Sequence, residues 1–172
     1  MFSKTHFCFL FALLIGATAV SAQAPLKYGH MNLGNLLEVL PDTKKANDDL
    51  KIFTDKLTAK DDSLTKAFQA QYSKFEVDYN AGTMTPVQSK NGQDGLQKMQ
   101  EDIQKFEQEA QQTIAAKRQE LLNPILTKVD EAVKAIAKEN GYAMIFDTSS
   151  GAMLFAAETD DVAALVKKKM GL

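Results

Sequence analysis

The side chains that most often carry out catalysis are scarce in this sequence of 172 residues. It contains two histidines and one cysteine, so the other candidate nucleophiles are serine and threonine hydroxyls. His30 lies in a strand-like stretch, with no serine or aspartate at a spacing typical of a catalytic set. The phosphate-binding, dinucleotide-binding and HExxH zinc motifs are all missing from the sequence. We therefore predict no enzyme, no cofactor and no metal site, and interpret His30 as a structural residue of a strand.

One short stretch resembles the start of a calcium-binding loop, with Asp78, Asn80 and Gly82 at alternate positions. A loop of this kind needs an oxygen ligand at its fifth position and a bidentate glutamate at its twelfth. Here these positions are Gly82 and Ser89. The spacing alone therefore does not indicate a calcium site.

The charges of the chain are nearly balanced. Lys and Arg number 20 and Asp and Glu number 22, which gives a net charge of −2. This balance excludes a strongly basic nucleic-acid binder, so we predict no nucleic-acid partner. The mean hydropathy is −0.24, and the only long apolar run lies at the N-terminus, which argues against an internal membrane span.

The N-terminus has the pattern of a secretory signal peptide. Lys4 precedes an apolar run of 14 residues at positions 7–20, and Val20-Ser21-Ala22 supplies small residues for cleavage. A membrane span needs about 20 apolar residues, so an uncleaved anchor is the weaker alternative. We predict a signal peptide over residues 1–22, with cleavage after Ala24 less favoured. The mature chain would then have no cysteine, and 19 basic against 22 acidic residues give it a net charge of −3.

Two long helical patterns occupy residues 42–140. Apolar residues recur every 11 positions in both patterns, at Ala46, Leu57, Phe68 and Tyr79 and again at Ile103, Ile114, Ile125 and Ile136. Eleven residues over three turns is about 3.67 per turn, so each apolar stripe stays on one face of its helix. Residues 80–95 are rich in glycine and separate the two patterns. We predict an antiparallel helical hairpin, a coiled-coil tentacle with a mobile tip near residues 80–95.

Cap signals mark the ends of these helices. Asp42 and Thr43 are N-cap residue types, and Gly141 is a C-cap type. The sequence of residues 85–88, TPVQ, predicts a capping box at the start of the second helix. Thr159 is expected to cap a short C-terminal helix. Inside the first helix, Asp61 takes the place of an apolar residue in the stripe.

The remaining segments, 23–41 and 141–172, are predicted to form a split, β-rich association body. Residues 26–33 predict one strand, and residues 142–147 and 152–157 predict a β-hairpin around a turn at 148–151. This body is well below the roughly 70–80 residues that a single core usually needs without a staple. An α+β fold that associates through its strands is therefore expected. The residues predicted to take part are Tyr28, His30, Met31, Leu33, Met144, Ile145, Phe146, Met153, Leu154 and Phe155.

Several segments of the chain resemble one known family. They are KYGHMN at residues 27–32, LLEVLP at 36–41, LLNPI at 121–125, AIAKENGYAMIFD at 135–147 and AETDDV at 157–162. Together with the order of strand, charged helical hairpin, β-hairpin and short helix, they are similar to the Skp/OmpH family of periplasmic chaperones. The resemblance covers nearly all of the predicted mature chain.

The resemblance implies a homotrimer in the periplasm, with a shared β-body and three tentacles around a cavity. It also implies that unfolded outer-membrane β-barrel proteins are held there without ATP, and that the outer-membrane assembly machinery is a further partner. The residues expected to contact such clients are Phe68, Tyr72, Phe75, Tyr79, Met84 and Met99. Members of the family are often basic, whereas this chain is slightly acidic, so its charge does not favour contact with an anionic membrane.

A second hypothesis belongs to a different class. A structural coiled-coil protein of the envelope, without client binding, would show the same helical stripes. The split body and the glycine-rich tip favour the chaperone over this alternative. The mass in solution discriminates between the two, because a monomer or a two-stranded dimer would contradict a trimeric chaperone.

Overall fold

The structure, a computed structural model, describes residues 25–172, so the signal-peptide prediction and Cys8 lie outside the described residues. Its elements are strand β1 (Lys27–Met31), helix α1 (Leu33–Val39), helix α2 (Pro41–Asn80), helix α3 (Pro86–Asn140), strand β2 (Tyr142–Asp147), a 3-10 turn (Glu158–Asp160) and helix α4 (Ala163–Lys169). The fold is α+β: two long helices stand on a small body with a two-stranded sheet.

Helices α2 and α3 form the predicted antiparallel hairpin. They contain 40 and 55 residues, which corresponds to lengths of about 60 and 80 Å. Asp42 pairs with Lys128 at one end of the hairpin, and Phe75 lies against Gly92 near the other. The helices contact each other through the faces that carry the apolar stripes. Only residues 81–85 connect the two helices, so the turn at the tip is short.

The caps of α3 confirm the sequence prediction. The N–H of Gln88 donates to Thr85 Oγ1 (3.3 Å), and the N–H of Thr85 donates to Gln88 Oε1 (2.8 Å), which together make a capping box. Gly141 ends the helix in the left-handed conformation, with φ of 70°. Gly92 and Gly95 lie inside a continuous helix. The mobility of the tip stays a prediction.

The predicted cap of α2 at Asp42 or Thr43 is wrong. The helix begins at Pro41, and Leu40 takes the N-cap position in an extended conformation without a side-chain bond. Proline fits the first helical position because its fixed φ is already helical and its missing N–H is not needed there. Thr43 is instead buried, and its hydroxyl oxygen has no hydrogen-bond partner among the described residues.

The apolar core lies at the base of the hairpin. It combines side chains from β1, α1, the start of α2, the last part of α3 and the C-terminal segment. Its buried members are Met31, Leu36, Leu40, Ala46, Ile125, Val129, Ala132, Ile136, Val162 and Val166. Within residues 25–172, Leu96 near the tip is the one buried apolar residue outside this cluster. The base of the hairpin and the body therefore fold as one packed unit.

The two strands pair in parallel, from Lys27 beside Tyr142 to Met31 beside Asp147. The predicted β-hairpin between residues 142–147 and 152–157 is wrong, because residues 152–157 form no strand. After the turn at 148–151, the chain leaves β2 and reaches the opposite edge of β1. There the N–H of Val162 donates to the carbonyl of His30 (2.9 Å). A segment that has to reach this second edge cannot run alongside β2 as its hairpin partner.

The last helix also begins later than predicted. Residues Glu158–Asp160 form a 3-10 turn, and α4 starts at Ala163 rather than after Thr159. Val162 is completely buried, and its bond to β1 fixes the chain at this point. The N–H of Ala163 donates to Asp161 Oδ1 (2.7 Å), so Asp161 rather than Thr159 binds the start of the helix.

Candidate functional site

The small sheet has one face towards the core and one face outwards. Successive positions of a strand face opposite sides of the sheet. Positions 29 and 31 therefore face the core, while Tyr28 and His30 point away from it. Phe146 of β2 lies beside Tyr28 on the outward face, with ring centroids 6.4 Å apart. Met144, Phe146 and Tyr28 are all exposed. This outward face is apolar, and no other part of residues 25–172 covers it completely.

The structure divides the predicted association residues into two groups. Met31 is buried in the core, and Leu33 and Ile145 are half-buried against it. These three side chains therefore pack within their own chain. The outward group comprises Tyr28, His30, Met144, Phe146, Met153, Leu154 and Phe155, and we call it the body face.

Residues 152–157 contribute the most exposed apolar side chains of this face. Leu154 is 98% exposed and Phe155 is 86% exposed. The segment is held to β1 by His30, whose Nε2 lies 2.9 Å from the carbonyl oxygen of Ala157. This contact satisfies the imidazole, which supports the structural interpretation of His30. It also holds an irregular apolar segment at the surface of the body.

An apolar groove of about 240 Å³ lies next to β2. It is lined mainly by Leu126, Val129 and Val133 of α3 and by Ile145 and Phe146 of β2. β1 pairs with only one edge of β2, so the other edge carries no strand in the described chain. An unpaired strand edge and an apolar groove are both suitable docking places for a segment of another chain.

A hydrogen-bonded turn holds β2 against α1. Asp147 Oδ1 accepts the N–H of Leu33 (3.1 Å) and the N–H of Ser149 (2.9 Å), and Asp147 Oδ2 accepts Ser149 Oγ (2.7 Å). Burial acts to raise the pKa of Asp147. The bonds from the Ser149 side chain and from the two backbone N–H groups outweigh it, so the pKa lies below its usual value. The ionised carboxylate therefore stabilises the body.

The predicted client-contacting residues also fall into two groups. Phe68, Phe75, Met84 and Met99 are half-buried, and Phe75 packs directly on Gly92. Tyr72 and Tyr79, in contrast, are 50% and 54% exposed. Each tyrosine lies beside the phenylalanine four residues earlier, with ring centroids at 6.1 Å for Phe68–Tyr72 and 5.7 Å for Phe75–Tyr79. Only the tyrosines offer ring surface to a molecule outside the hairpin.

The hairpin also carries exposed apolar side chains that the sequence did not predict as client contacts. Ile52, Val77 and Val87 are all more than half exposed. They lie outside the apolar stripes, so periodicity does not find them. Their signal in the sequence is an apolar residue at a position where the helical repeat predicts a polar one.

Most ion pairs of the hairpin lie within one helix. The pairs at a spacing of four residues are Lys51–Asp55, Lys74–Asp78, Lys90–Asp94, Lys98–Asp102, Lys105–Glu109 and Asp130–Lys134. Their side chains are exposed, so each pair contributes little to stability. Lys128 and Asp42 connect the two helices (2.6 Å), and the Lys128 ammonium lowers the pKa of Asp42. The surface of the hairpin is thus polar and locally neutralised.

The described residues contain neither a membrane-spanning helix nor a cluster of metal ligands. No helix within residues 25–172 is both long and apolar enough to cross a membrane. In the same part of the chain, no three side chains of His, Cys, Asp or Glu are grouped as metal ligands would be.

Comparison with known proteins identifies the class of this fold. A crystal structure of an OmpH-like protein from Caulobacter crescentus CB15 superposes with a TM-score of 0.70 at 14% sequence identity. The match covers 83% of this chain and 82% of that one. This protein has the OmpH-like fold of helical tentacles on a small β-body.

Sequence comparison then assigns the family. The chaperone protein Skp of Pectobacterium atrosepticum is 24% identical over 157 residues, which cover 91% of this chain and 93% of that protein. The family model described as outer membrane protein (OmpH-like) matches residues 27–170. The chain belongs to the OmpH-like outer membrane protein family, as its sequence segments predicted.

Proposed function

We propose that this protein is an ATP-independent holdase chaperone of the periplasm, which keeps unfolded outer-membrane β-barrel proteins from aggregating. Membership of the OmpH-like family and the chaperone names of its relatives support the class of function. The observation that carries the proposal is the separation of two apolar surfaces: the exposed body face at one end and exposed apolar side chains spread along a long hairpin. The first suits assembly, and the second suits weak contact with a client. We infer no catalytic role.

The body face is proposed to hold the chain in a homotrimer. Leu154 and Phe155 lie in an irregular segment with almost no cover, and the groove next to β2 is apolar and open. If the segment of one subunit lies on the groove and the free β2 edge of the next, both surfaces are removed from water. Burial of one large apolar side chain contributes about 1.5–3 kcal/mol, and a trimer repeats the contact three times. Association would thus cover apolar surface that the packed unit of body and hairpin base leaves exposed.

The hairpins are proposed to hold the client between them. Tyr72, Tyr79, Ile52, Val77 and Val87 are exposed apolar side chains separated by charged residues. Each contact with an unfolded chain would be weak, but many contacts in a shared cavity sum to a high overall affinity. The sequence offers no site for a nucleotide that would drive release. Transfer of the client to the outer-membrane assembly machinery would then depend on competition rather than on hydrolysis.

The test dilutes an unfolded β-barrel protein from urea into buffer with the chaperone at one trimer per client, without ATP, and records light scattering. We expect the wild type to suppress aggregation. The double variant Tyr72→Ser with Tyr79→Ser should suppress it several-fold less. The matched control, Gln69→Ser with Gln71→Ser, changes exposed polar residues of the same helix and should behave like the wild type.

Two results would contradict the proposal. Unchanged aggregation in the presence of the wild type would favour the structural coiled-coil alternative. If the wild type sediments as a monomer or dimer, the proposed cavity between three hairpins cannot form. Leu154→Asp with Phe155→Asp is the matching assembly variant, and we expect it to sediment as smaller species and to lose client protection.

A further inference from the structure

One flank of helix α3 carries a row of glutamines. They follow each other at steps of four, three, four, four and three residues, which is the 11-residue repeat of the apolar stripes. All of them therefore lie on one side of the helix. Their side chains are exposed, and Gln97 Nε2 donates to Glu101 Oε1 (3.0 Å). The members of this glutamine row are Gln93, Gln97, Gln100, Gln104, Gln108 and Gln111.

The glutamine row is continuous with the apolar groove at the base of the hairpin. The same spacing leads on through Ala115, Gln119 and Leu122 to Leu126. Leu126 lines the groove next to β2, together with Val133, which follows Leu122 after one further repeat. The row thus points to the side of the hairpin on which this groove lies. In the proposed trimer the groove receives the next subunit, so the row would face the space between neighbouring tentacles.

The row differs in charge from the remaining surface of α3. From Gln93 to Leu126, none of its positions carries a charged residue. The ion pairs of the same stretch, Lys90–Asp94, Lys98–Asp102 and Lys105–Glu109, lie on another flank of the helix. Glutamine, glutamate and lysine have similar helix propensities, so helix formation does not require this separation. From Gln93 to Gln119, a flank without charge extends for about 40 Å.

A side-chain amide matches the polar groups of a polypeptide backbone. Its nitrogen carries two donors and its oxygen accepts, so one glutamine can bind either a backbone C=O or a backbone N–H. Strands of membrane barrels alternate apolar and polar residues, so an unfolded barrel protein has few long apolar runs. Its peptide groups, in contrast, recur at every residue. A row of amides therefore complements the feature that all segments of such a client share.

A second folded helix fits the row less well than an unfolded chain does. Contacts between helices are stabilised mainly by apolar side chains, and between Gln93 and Gln119 the row offers only Ala115. The backbone groups of a helix are already bonded to each other, so amides buried against it would lack partners. An unfolded backbone brings its own donors and acceptors to the contact.

The spacing of the row favours weak and short-lived contacts. Successive glutamines are on average about 5.5 Å apart along the helix axis. Alternate residues of an extended chain repeat at about 6.6 Å. The two periods do not match, so a client cannot bind in one fixed register along the whole row. Each hydrogen bond made in water contributes little, and the sum over several glutamines and three tentacles provides the affinity.

We propose that the glutamine row is the client-contact surface of α3, and that it binds the backbone of an unfolded protein rather than its side chains. This assignment rests on the proposed holdase function and deepens it. The exposed apolar side chains of the hairpin contact the apolar residues of the client, and the row contacts the peptide groups between them. Because these contacts involve no charge, the slightly acidic net charge of the chain does not oppose them.

Charged substitutions in the row test the proposal at constant net charge. The fourfold variant Gln100→Glu, Gln104→Lys, Gln108→Glu and Gln111→Lys places each glutamate before a lysine at spacings that stabilise a helix. The paired charges bind each other and water, so fewer groups remain for a backbone. We expect the Kd for an unfolded barrel protein to rise several-fold. Circular dichroism and sedimentation should stay as in the wild type.

The matched control places the same charge pair on another flank of α3. Gln112 and Ala116 are exposed and lie outside the row, and Gln112→Glu with Ala116→Lys should bind the client like the wild type. Equal client binding by the wild type and the fourfold variant, or equal weakening by the control, would overturn the assignment of the row. If the wild type itself holds no client, the proposed holdase function fails instead.

A pair of peptides tests whether the backbone is recognised. The first copies one strand of a barrel protein, roughly 10 residues long, and the second carries N-methyl groups at alternate residues, which removes those N–H donors. By fluorescence anisotropy, the wild type should bind the methylated peptide several-fold more weakly, whereas the fourfold variant should show a smaller difference. Equal binding of both peptides by the wild type would refute backbone recognition.

Crosslinking identifies what occupies the row. A photoreactive phenylalanine analogue replaces Gln104 in one protein and Asp102, on the opposite flank of α3, in another. With an unfolded barrel protein present, we expect crosslinks to the client from position 104 and several-fold fewer from position 102. Crosslinks from position 104 mainly to a second copy of the chain, with or without client, would show that the row packs against another tentacle and would overturn the proposal.

Discussion

The base and the distal half of the hairpin are built from the same apolar repeat but packed in different ways. At the base, Ile125, Val129 and Ile136 of α3 are buried because β1, α1 and α4 cover them. In the distal half, the equivalent Ile103 and Ile114 are only half-buried, since a single facing helix shields them. When only two helices pack together, the edges of each apolar stripe stay exposed to solvent. When several elements surround one helix, the whole stripe is buried.

This difference assigns different tasks to the two halves. The base is a globular core that keeps the hairpin attached to the body. The distal half has little apolar surface to hold it rigid, and its exposed side chains remain available to other molecules. Stability is thus concentrated at one end of a long element, and the proposed contacts with clients lie at the other.

The largest predicted effect compares one substitution, leucine to alanine, in the two halves. Leu36 is 1% exposed in the base core, so Leu36→Ala should lower the free energy of unfolding by about 3 kcal/mol or more. Leu64 is half-buried in the distal seam, and Leu64→Ala should cost only about 1 kcal/mol. Urea unfolding at one fixed protein concentration measures both, because assembly makes stability depend on concentration. Equal losses would mean that the seam is packed as tightly as the base.

A smaller effect concerns the turn that holds β2 to α1. The folded-state pKa of Asp147 is lowered, so the carboxylate stabilises the body above its unfolded pKa, and this contribution is lost as the pH falls through the folded pKa. Because the carboxylate is exposed to solvent, Asp147→Asn should lower stability by less than about 1 kcal/mol at neutral pH and have progressively less effect in acid. Thermal unfolding of both proteins from pH 7 to pH 3 checks this.

The matched variant Ser149→Ala removes one of the three donors to Asp147 and keeps the two backbone donors. It should reproduce only part of the loss at neutral pH. A difference between wild type and Asp147→Asn that stays constant over the whole pH range would contradict the role assigned to the ionised carboxylate.

The comparison of the two halves also explains what the sequence could predict. The hairpin followed from local signals, namely the 11-residue repeat, the capping box at Thr85 and the C-cap at Gly141. The path of residues 152–157 could not be predicted from local signals. Their apolar composition fits a strand, but whether they pair with another strand depends on where β1 lies in the fold. The predicted association residues fall into a buried and an exposed group for the same reason. Met31 and Phe146 are both apolar, and only the face of the sheet on which each lies makes Met31 buried and Phe146 exposed.

The smallest predicted effect tests how closely the distal helices approach near the tip. A Cβ added to Gly92 would lie 2.5 Å from Phe75 Cδ2, whereas nothing lies within 4 Å of one added to Gly95. Alanine is favoured over glycine in a helix by about 1 kcal/mol, so Gly95→Ala should raise stability by up to that amount. In Gly92→Ala the same gain is offset by displacement of the Phe75 ring, and we expect a net loss of less than about 1 kcal/mol.

The two glycine variants are matched in chemistry, helix and distance from the tip, so the difference between their unfolding free energies isolates the contact with Phe75. The double variant Gly92→Ala with Phe75→Ala completes a double-mutant cycle. Without the Phe75 ring the added methyl group has no clash, so Gly92→Ala should become stabilising in that background. If Gly92→Ala stabilises the protein as much as Gly95→Ala with Phe75 in place, the helices do not pack at the tip. The distal half would then be a loosely packed seam along its whole length beyond the base core.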